Sequence, residues 1–353
     1  MDELVVPPGK PIKLVVWDLD DTLWRGVAPG EPTLHPAARR LIATLDERGI
    51  MQSVVRGSDA GSARRWLERL GVAEFFLYPQ LGPGAKSRAV RQIASALNIA
   101  LEATLLIDDD AAERDEVIAA CPVVRAVAPA ALDRLAGDPL MGESLAAIEP
   151  RPRRLLYVED QARSEAERAF HGPSAEFVAT LGMTLTVASA ASADLHRMRE
   201  LVNRTNQLGV SYRDDELERL RCSPDHACLL VSLADRFGDC GKVGIAVLAV
   251  APARWTLKLL VFSCRVMPRG VSTIVLDALL RQARAAGVRF VAELRPTSKN
   301  QPMALAYQRA GFAPIETAGD LVVLEHALAH VADLPGGTRL ELACPQLSPG
   351  YGA

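Results

Sequence analysis

Two short runs constrain the fold of this chain more than anything else in its sequence: KLVVWD at 13–18 and TLLID at 104–108. Each is apolar without alternation, the pattern of a strand covered on both faces in a parallel sheet. Each also ends in acids, Asp18, Asp20 and Asp21 after the first and Asp108, Asp109 and Asp110 after the second. A further strand is expected at 51–55, and helices at 36–48 (Leu41, Ile42 and Leu45 on one face), 60–70 and 86–97 (Val90, Ile93, Ala94 and Leu97). Alternating strands and helices predict an α/β doubly wound parallel sheet. Ligands bind beyond the carboxyl ends of such strands, so the two acidic clusters are expected to meet at one site.

The rhythm lapses between Gly137 and Gly172, where RPRRLLYVEDQARSEAERAF reads as a charged helical connector. A second rhythm follows: a strand at 183–188, a helix at 193–206, and strands at 227–234, 243–250 and 256–262 with no helix between them. Then come a helix at 271–285, a strand at 288–294, a helix at 303–310 and a strand at 321–325. Antiparallel strands followed by a βαβ unit predict a separate mixed-sheet α/β domain. The expected organisation is a first domain at 1–137, a connector at 138–172, a second domain at 173–335 and a loose tail at 336–353. A chain of 353 residues accommodates two such domains.

Composition narrows the class. Lys and Arg number 40 against 43 Asp and Glu, a net charge of -3, which argues against a nucleic-acid-binding surface. Six scattered cysteines with no CxxC pair suggest reduced thiols in a cytoplasmic protein rather than a disulfide framework or a zinc site. The start MDELVVPPGKP does not read as a signal peptide, and no apolar run approaches the ~20 residues that span a bilayer.

Acids crowded at a strand tip are costly unless something positive neutralises them. Mg²⁺ suits the need, since it takes oxygen ligands and pairs with phosphates. Asp18, Asp20, Asp108 and Asp109 supply oxygens, and Lys86 would balance a phosphate's remaining charge. Helix capping by Asp21 and Thr22 is the plainer reading, but it leaves the second acidic triple unexplained.

DLDDT at 18–22 resembles the first motif of the haloacid dehalogenase superfamily. The resemblance implies that Asp18 is the nucleophile forming an aspartyl phosphate and that Asp20 is the general acid/base. It also implies that the backbone carbonyl of Asp20 and the side chain of Asp108 or Asp109 contact the metal. With AKS at 85–87 and LLIDDDAAERDEV at 105–117, the first half is similar to FkbH-like proteins. Where that family has Ser or Thr after the second strand, VVRGSD places Arg56, with Ser58 two residues on. Either is a candidate phosphate contact, Arg56 by a bidentate grip.

LVNRTNQLG at 201–209, DRFGDCGKVGI at 235–245, FSCRVMPRGV at 262–271 and PTSKNQP at 296–302 also resemble FkbH-like proteins, and with YQRAGF at 307–312 imply an acyltransferase fold of the GNAT type. The likeness covers about 12–326. It implies an acyl or pantetheine site lined by Asn203, Thr205, Asn206, Gln207, Arg265, Arg269, Gly270, Thr297, Lys299 and Asn300. The turn before the helix at 271 favours an anion such as a pantetheine phosphate, and Arg265 and Arg269 add charge. Pro268 removes an amide donor there, which disfavours a plain acetyl-CoA enzyme. Cys264 is a candidate nucleophile beside two arginines and a helix start, the plainer alternative being a buried small hydrophobe. The family implies transfer of a glyceryl unit from D-1,3-bisphosphoglycerate, with loss of phosphate, to an acyl carrier protein for polyketide or tetronate biosynthesis. A stand-alone Mg²⁺-dependent phosphatase with a vestigial second domain, or a non-catalytic carrier-binding module, are the alternatives.

Overall fold

The structure, a computed structural model, describes residues 10–26, 31–56, 60–142, 151–204, 214–296 and 300–347. The chain divides into two compact units, Met1–Gln161 and Ala162–Ala353. Together they give an α/β protein with one parallel and one mixed sheet.

In the first unit β1 (Leu14–Trp17) leads to a small hairpin of β2 (Trp24–Arg25) and β3 (Thr33–Leu34). There follow α1 (Pro36–Glu47), β4 (Met51–Arg56), α2 (Ala60–Arg69), β5 (Gln80–Leu81), α3 (Lys86–Ala96), β6 (Thr104–Ile107), α4 (Ala111–Ala120), β7 (Arg125–Val127), α5 (Leu132–Leu135) and α6 (Arg153–Ala169), the last running into the second unit. The sheet order is β5-β4-β1-β6-β7, and every neighbouring pair is parallel. Successive strands run outward from β1 to β5 on one side and from β6 to β7 on the other. The order therefore reverses between β1 and β6, the place where such sheets leave a crevice.

Both faces of this sheet are covered, which is why its strands lack alternation. Val15, Trp17, Val54, Leu105 and Ile107 pack with Leu41, Ile42 and Leu45 of α1. Leu14, Val16, Met51, Val55 and Leu106 pack with Val90 and Ile93 of α3 and Val117 of α4. The buried Trp17 Nε1 donates to Gln52 Oε1 at 3.2 Å, and Gln52 Nε2 donates to the Ile42 carbonyl at 2.9 Å, so neither polar group is stranded in the core.

The second unit adds α7 (Ser174–Thr180), β8 (Thr184–Ser189), α8 (Leu195–Arg204), α9 (Asp214–Cys222), β9 (His226–Asp235), β10 (Gly238–Ala251), β11 (Arg254–Phe262), α10 (Val271–Ala286), β12 (Arg289–Leu294), α11 (Gln301–Arg309), β13 (Phe312–Ala318), β14 (Leu321–His326) and β15 (Arg339–Ala343). The sheet order is β13-β14-β12-β11-β10-β9-β8-β15. β8 to β11 are antiparallel neighbours, and α10 is the crossover that makes β11 and β12 parallel. Ile274, Val275 and Leu279 of α10 pack on one face, and Met198 of α8 and Leu217 of α9 on the other.

Several elements, among them α4, β7, α7 and α9, stand where none was expected, and two further strands do so as well. The loose tail at 336–353 contains β15, paired in parallel with β8, and Cys344 and Leu347 beyond it are buried. Its apolar residues, Leu340 and Leu342, lie two apart and pack on the core, the period-2 signal of a short strand. β13 was not expected either. It is an edge strand, exposed after Phe312 and carrying Pro314, where proline is tolerated. No described helix is long and apolar enough to cross a membrane.

Candidate functional site

Trp17 stands opposite Ile107 in the β1–β6 register, so Asp18 and Asp108 leave adjacent strands at the same level. The Asp18 amide still bonds the Ile107 carbonyl at 2.9 Å, and the Asp108 amide bonds the Val127 carbonyl at 3.1 Å. Leu19, Leu23 and Trp24 are buried and pin the turn that follows, while Asp21 takes a left-handed φ of 51° that an Asp tolerates. Thr22 is fully buried. Its Oγ1 lies 3.2 Å from Asp109 Oδ1 and accepts the Asp109 amide at 3.0 Å, tying one acidic loop to the other.

Lys86, the first residue of α3, reaches between the two strand ends. Its Nζ donates to Asp18 Oδ1 at 2.7 Å and to Asp108 Oδ2 at 2.5 Å, with Glu113 Oε2 at 3.2 Å. Burial pushes the Asp18 carboxyl up to about 7 against the pull of Lys86, and the charges of Asp108 and Asp109 push the same way. Burial works against the Lys86 charge as well, but its bonds to Asp108 and Asp18 outweigh that, and it stays protonated.

One ammonium among Asp18, Asp108 and Asp109 leaves the cluster short of positive charge. Oxygens of these three acids all lie within 4.8 Å of one another. The cis and trans ligands of an octahedral ion with bonds of about 2.1 Å stand roughly 3 to 4 Å apart, so the set fits Mg²⁺ after a small closure. The Asp20 carboxylate is not among these three, and its Oδ1 accepts from Trp24 Nε1 at 2.8 Å; the metal contact expected of Asp20 is through its backbone carbonyl. Arg56 ends β4 with its backbone opposite Leu81; its side chain, and Ser58 entirely, lie outside the described residues.

Several supporting residues escaped the sequence reading. Arg114 Nη1 donates to the carbonyls of Asp108 at 2.7 Å and Asp109 at 2.8 Å, fixing the acidic loop. Glu116 accepts the Ser87 amide at 3.0 Å and the Ser87 hydroxyl at 2.6 Å, holding the start of α3. With Glu113 they fall in AAERDE at the start of α4, where four charged residues in a row follow the acid triple after two alanines. That adjacency was the available signal.

In the second unit, ladder pairing between the parallel β11 and β12 ends at Leu257 and Ala292, although β11 continues to Phe262. Lys258 and Glu293 form an ion pair where the strands part. A 3₁₀ turn at Cys264–Arg269 follows, then Gly270 in a left-handed conformation (φ 69°) immediately before α10. The side chain of Cys264 lies outside the described residues. Arg265 Nε approaches Ser263 Oγ at 3.5 Å.

Arg269 does not serve as expected. Its Nη1 is buried against Asp235 Oδ2 at 2.9 Å, and Arg163 grips the same carboxylate through two nitrogens at 2.8 and 3.0 Å. Burial alone would raise the Asp235 carboxyl, but Arg163 and Arg269 hold it below the usual range. A fully buried carboxylate needs such partners, and it takes the charge assigned above to an anion site. Asn300 is buried, and its Nδ2 donates to the Arg295 carbonyl at 2.7 Å. The side chain of Asn203, and all of Thr205, Asn206, Gln207, Thr297 and Lys299, lie outside the described residues.

No protein-family profile and no curated protein sequence matches the chain. Solved structures do show likeness. One is the N-terminal part of a Bacteroides fragilis protein containing a phosphatase domain complexed with Mg, 25% identical over 34% of this chain and 36% of that one, with a TM-score of 0.31. Another is the cobalt-bound deoxy-D-mannose-octulosonate 8-phosphate phosphatase of Haemophilus influenzae, 27% identical over 33% of this chain and 68% of that one, with a TM-score of 0.28. A third is the ribosomal-protein-S18-alanine N-acetyltransferase of Escherichia coli, 14% identical over 42% of this chain and 97% of that one, with a TM-score of 0.33. Each likeness is partial, and the chemistry of the carboxylate cluster rests on this chain's own side chains.

Proposed function

We propose that the first unit carries out Mg²⁺-dependent phosphoryl transfer and the second an acyl transfer. In the full reaction the chain takes D-1,3-bisphosphoglycerate, releases phosphate and loads the glyceryl group onto the phosphopantetheine thiol of an acyl carrier protein. The observation that carries the phosphoryl half is Lys86 bridging Asp18 and Asp108, with Asp109 alongside, where the strand order of a parallel sheet reverses. The glyceryl and carrier assignments rest on the FkbH-like sequence motifs.

Asp18 attacks the phosphorus of the C3 phosphate ester. The phosphorus–oxygen bond to the glyceryl carbon breaks, and the departing alkoxide takes a proton from Asp20. Water, giving its proton back to Asp20, then cleaves the aspartyl phosphate to free phosphate. Lys86 holds the phosphoryl oxygens against the repulsion of the attacking carboxylate. Bound Mg²⁺, held by Asp18, Asp108 and Asp109, would supply the remaining countercharge. At C1, the Cys264 thiolate attacks the acyl carbon, inorganic phosphate leaves, and the carrier thiol exchanges with the resulting thioester.

The test is to incubate the full chain with D-1,3-bisphosphoglycerate, Mg²⁺ and a carrier protein, then weigh the carrier intact. A glyceryl mass increment that Cys264→Ser abolishes, with phosphate release retained, supports the full reading. Phosphate release without any increment leaves a phosphatase alone. That second reading is favoured by Arg269, whose charge is committed to Asp235 rather than to an acyl donor. Neither product leaves a binding module.

A further inference from the structure

Lys86 has three carboxylate neighbours, and they differ in where they stand. Asp18 and Asp108 are enclosed, with side-chain exposures of 11% and 0%. Glu113, 3.2 Å from Nζ, is 44% exposed. It comes from the first turn of α4 and is not among the three acids that converge as ligands. An ammonium has three protons to donate. Two point to buried acids, and the direction left toward solvent is capped by Glu113.

We propose that Glu113 is a resident competitor at Lys86, holding the solvent side of the ammonium until an incoming phosphate displaces it. This rests on the phosphoryl reading above and adds an affinity threshold to it. A carboxylate monoanion arriving from solvent meets an equal already in place and gains little by exchange. A phosphate dianion, with more charge and three acceptor oxygens, displaces Glu113, which swings into water at small cost because it is already half-exposed. Glu113 thereby lowers the apparent affinity of every anion at Lys86 by one factor, so that only a strongly held group such as a phosphate dianion still fills the site.

The experiment is calorimetric titration of inorganic phosphate into the full chain with Mg²⁺ present, at low ionic strength. Binding by the parent that Lys86→Met abolishes establishes the phosphate site itself. Glu113→Gln is then expected to bind phosphate on the order of fivefold more tightly, the size of a partly exposed ion pair. Glu113→Asp, one methylene too short to reach Nζ, should tighten similarly, and both gains should shrink at 0.5 M salt. Unchanged or weaker binding by Glu113→Gln overturns the proposal. So does a Glu113→Asp protein that matches the parent while Glu113→Gln tightens, because the effect is then one of general charge rather than contact. If neither parent nor Lys86→Met binds phosphate, the phosphoryl reading itself falls, and this inference with it.

Discussion

A carboxylate as enclosed as Asp18 is tolerable as an anion only with a cation beside it, and Lys86 is shared with Asp108 and Glu113. With divalent metal chelated, the Asp18 carboxyl sits at about 7 against an ordinary 3.8, chiefly through burial. The folded protein therefore binds a proton that the unfolded chain releases. The stability this proton contributes is complete below about pH 4 and is lost as pH rises through 7. Asp18→Asn has no such proton to lose. In EDTA at pH 8 it should be more stable than the parent by up to about 4 kcal/mol, with the gain shrinking toward pH 5, as urea unfolding would show. The same variant should release no phosphate, since an amide cannot form the acyl phosphate. Asp18, Asp108, Asp109 and Lys86 were legible in the sequence because acids stacked on an apolar strand have few other uses. Arg269 was misread because its partner Asp235 lies 34 residues away, and no local pattern announces a buried ion pair across that interval.

Elements were legible in proportion to how evenly they are buried. β1 and β6 are covered on both faces and wrote apolar runs without alternation, while β4, equally enclosed, carries Gln52 and Ser53 between its apolar residues. β13 is exposed along nearly its whole length, and β15 is only five residues long with a half-buried Leu340 and Leu342, so the first left no pattern and the second only a short alternation. The start of α3 shows a dependence between elements that no periodicity records. Its N-cap is Ala85, which offers no side-chain acceptor, and the missing acceptor comes from Glu116 on α4. Glu116→Ala should leave the Ser87 amide and hydroxyl unsatisfied in a buried place and cost about 1 to 3 kcal/mol, measurable by denaturant unfolding. Because Lys86 is the first residue of the same helix, phosphate binding should weaken in that variant as well.

At the scale of the whole molecule, each unit has cores of its own. Gly337 offers the cleanest handle on the second. Its φ is +74°, and a Cβ there would stand 2.2 Å from the carbonyl oxygen of Ala179. Gly337→Ala should destabilise the second unit by on the order of 2 to 4 kcal/mol, through clash and strain together. Calorimetry should show that loss, while the phosphate binding at Lys86 proposed for the first unit persists. The first unit has the opposite character at its centre. Residues 14–17 are wholly enclosed, with a laddered neighbour on either side, and Asp18 hangs directly from their end. Amides in such a strand are the last to exchange with deuterium, since exposing them requires the whole unit to open. The nucleophile proposed above thus hangs from an enclosed, doubly laddered strand, the kind of stretch expected to open last. Turnover is consequently a late alarm for ageing or proteolytic nicking in this protein, and a preparation already frayed at its rims will still look sound by its rate.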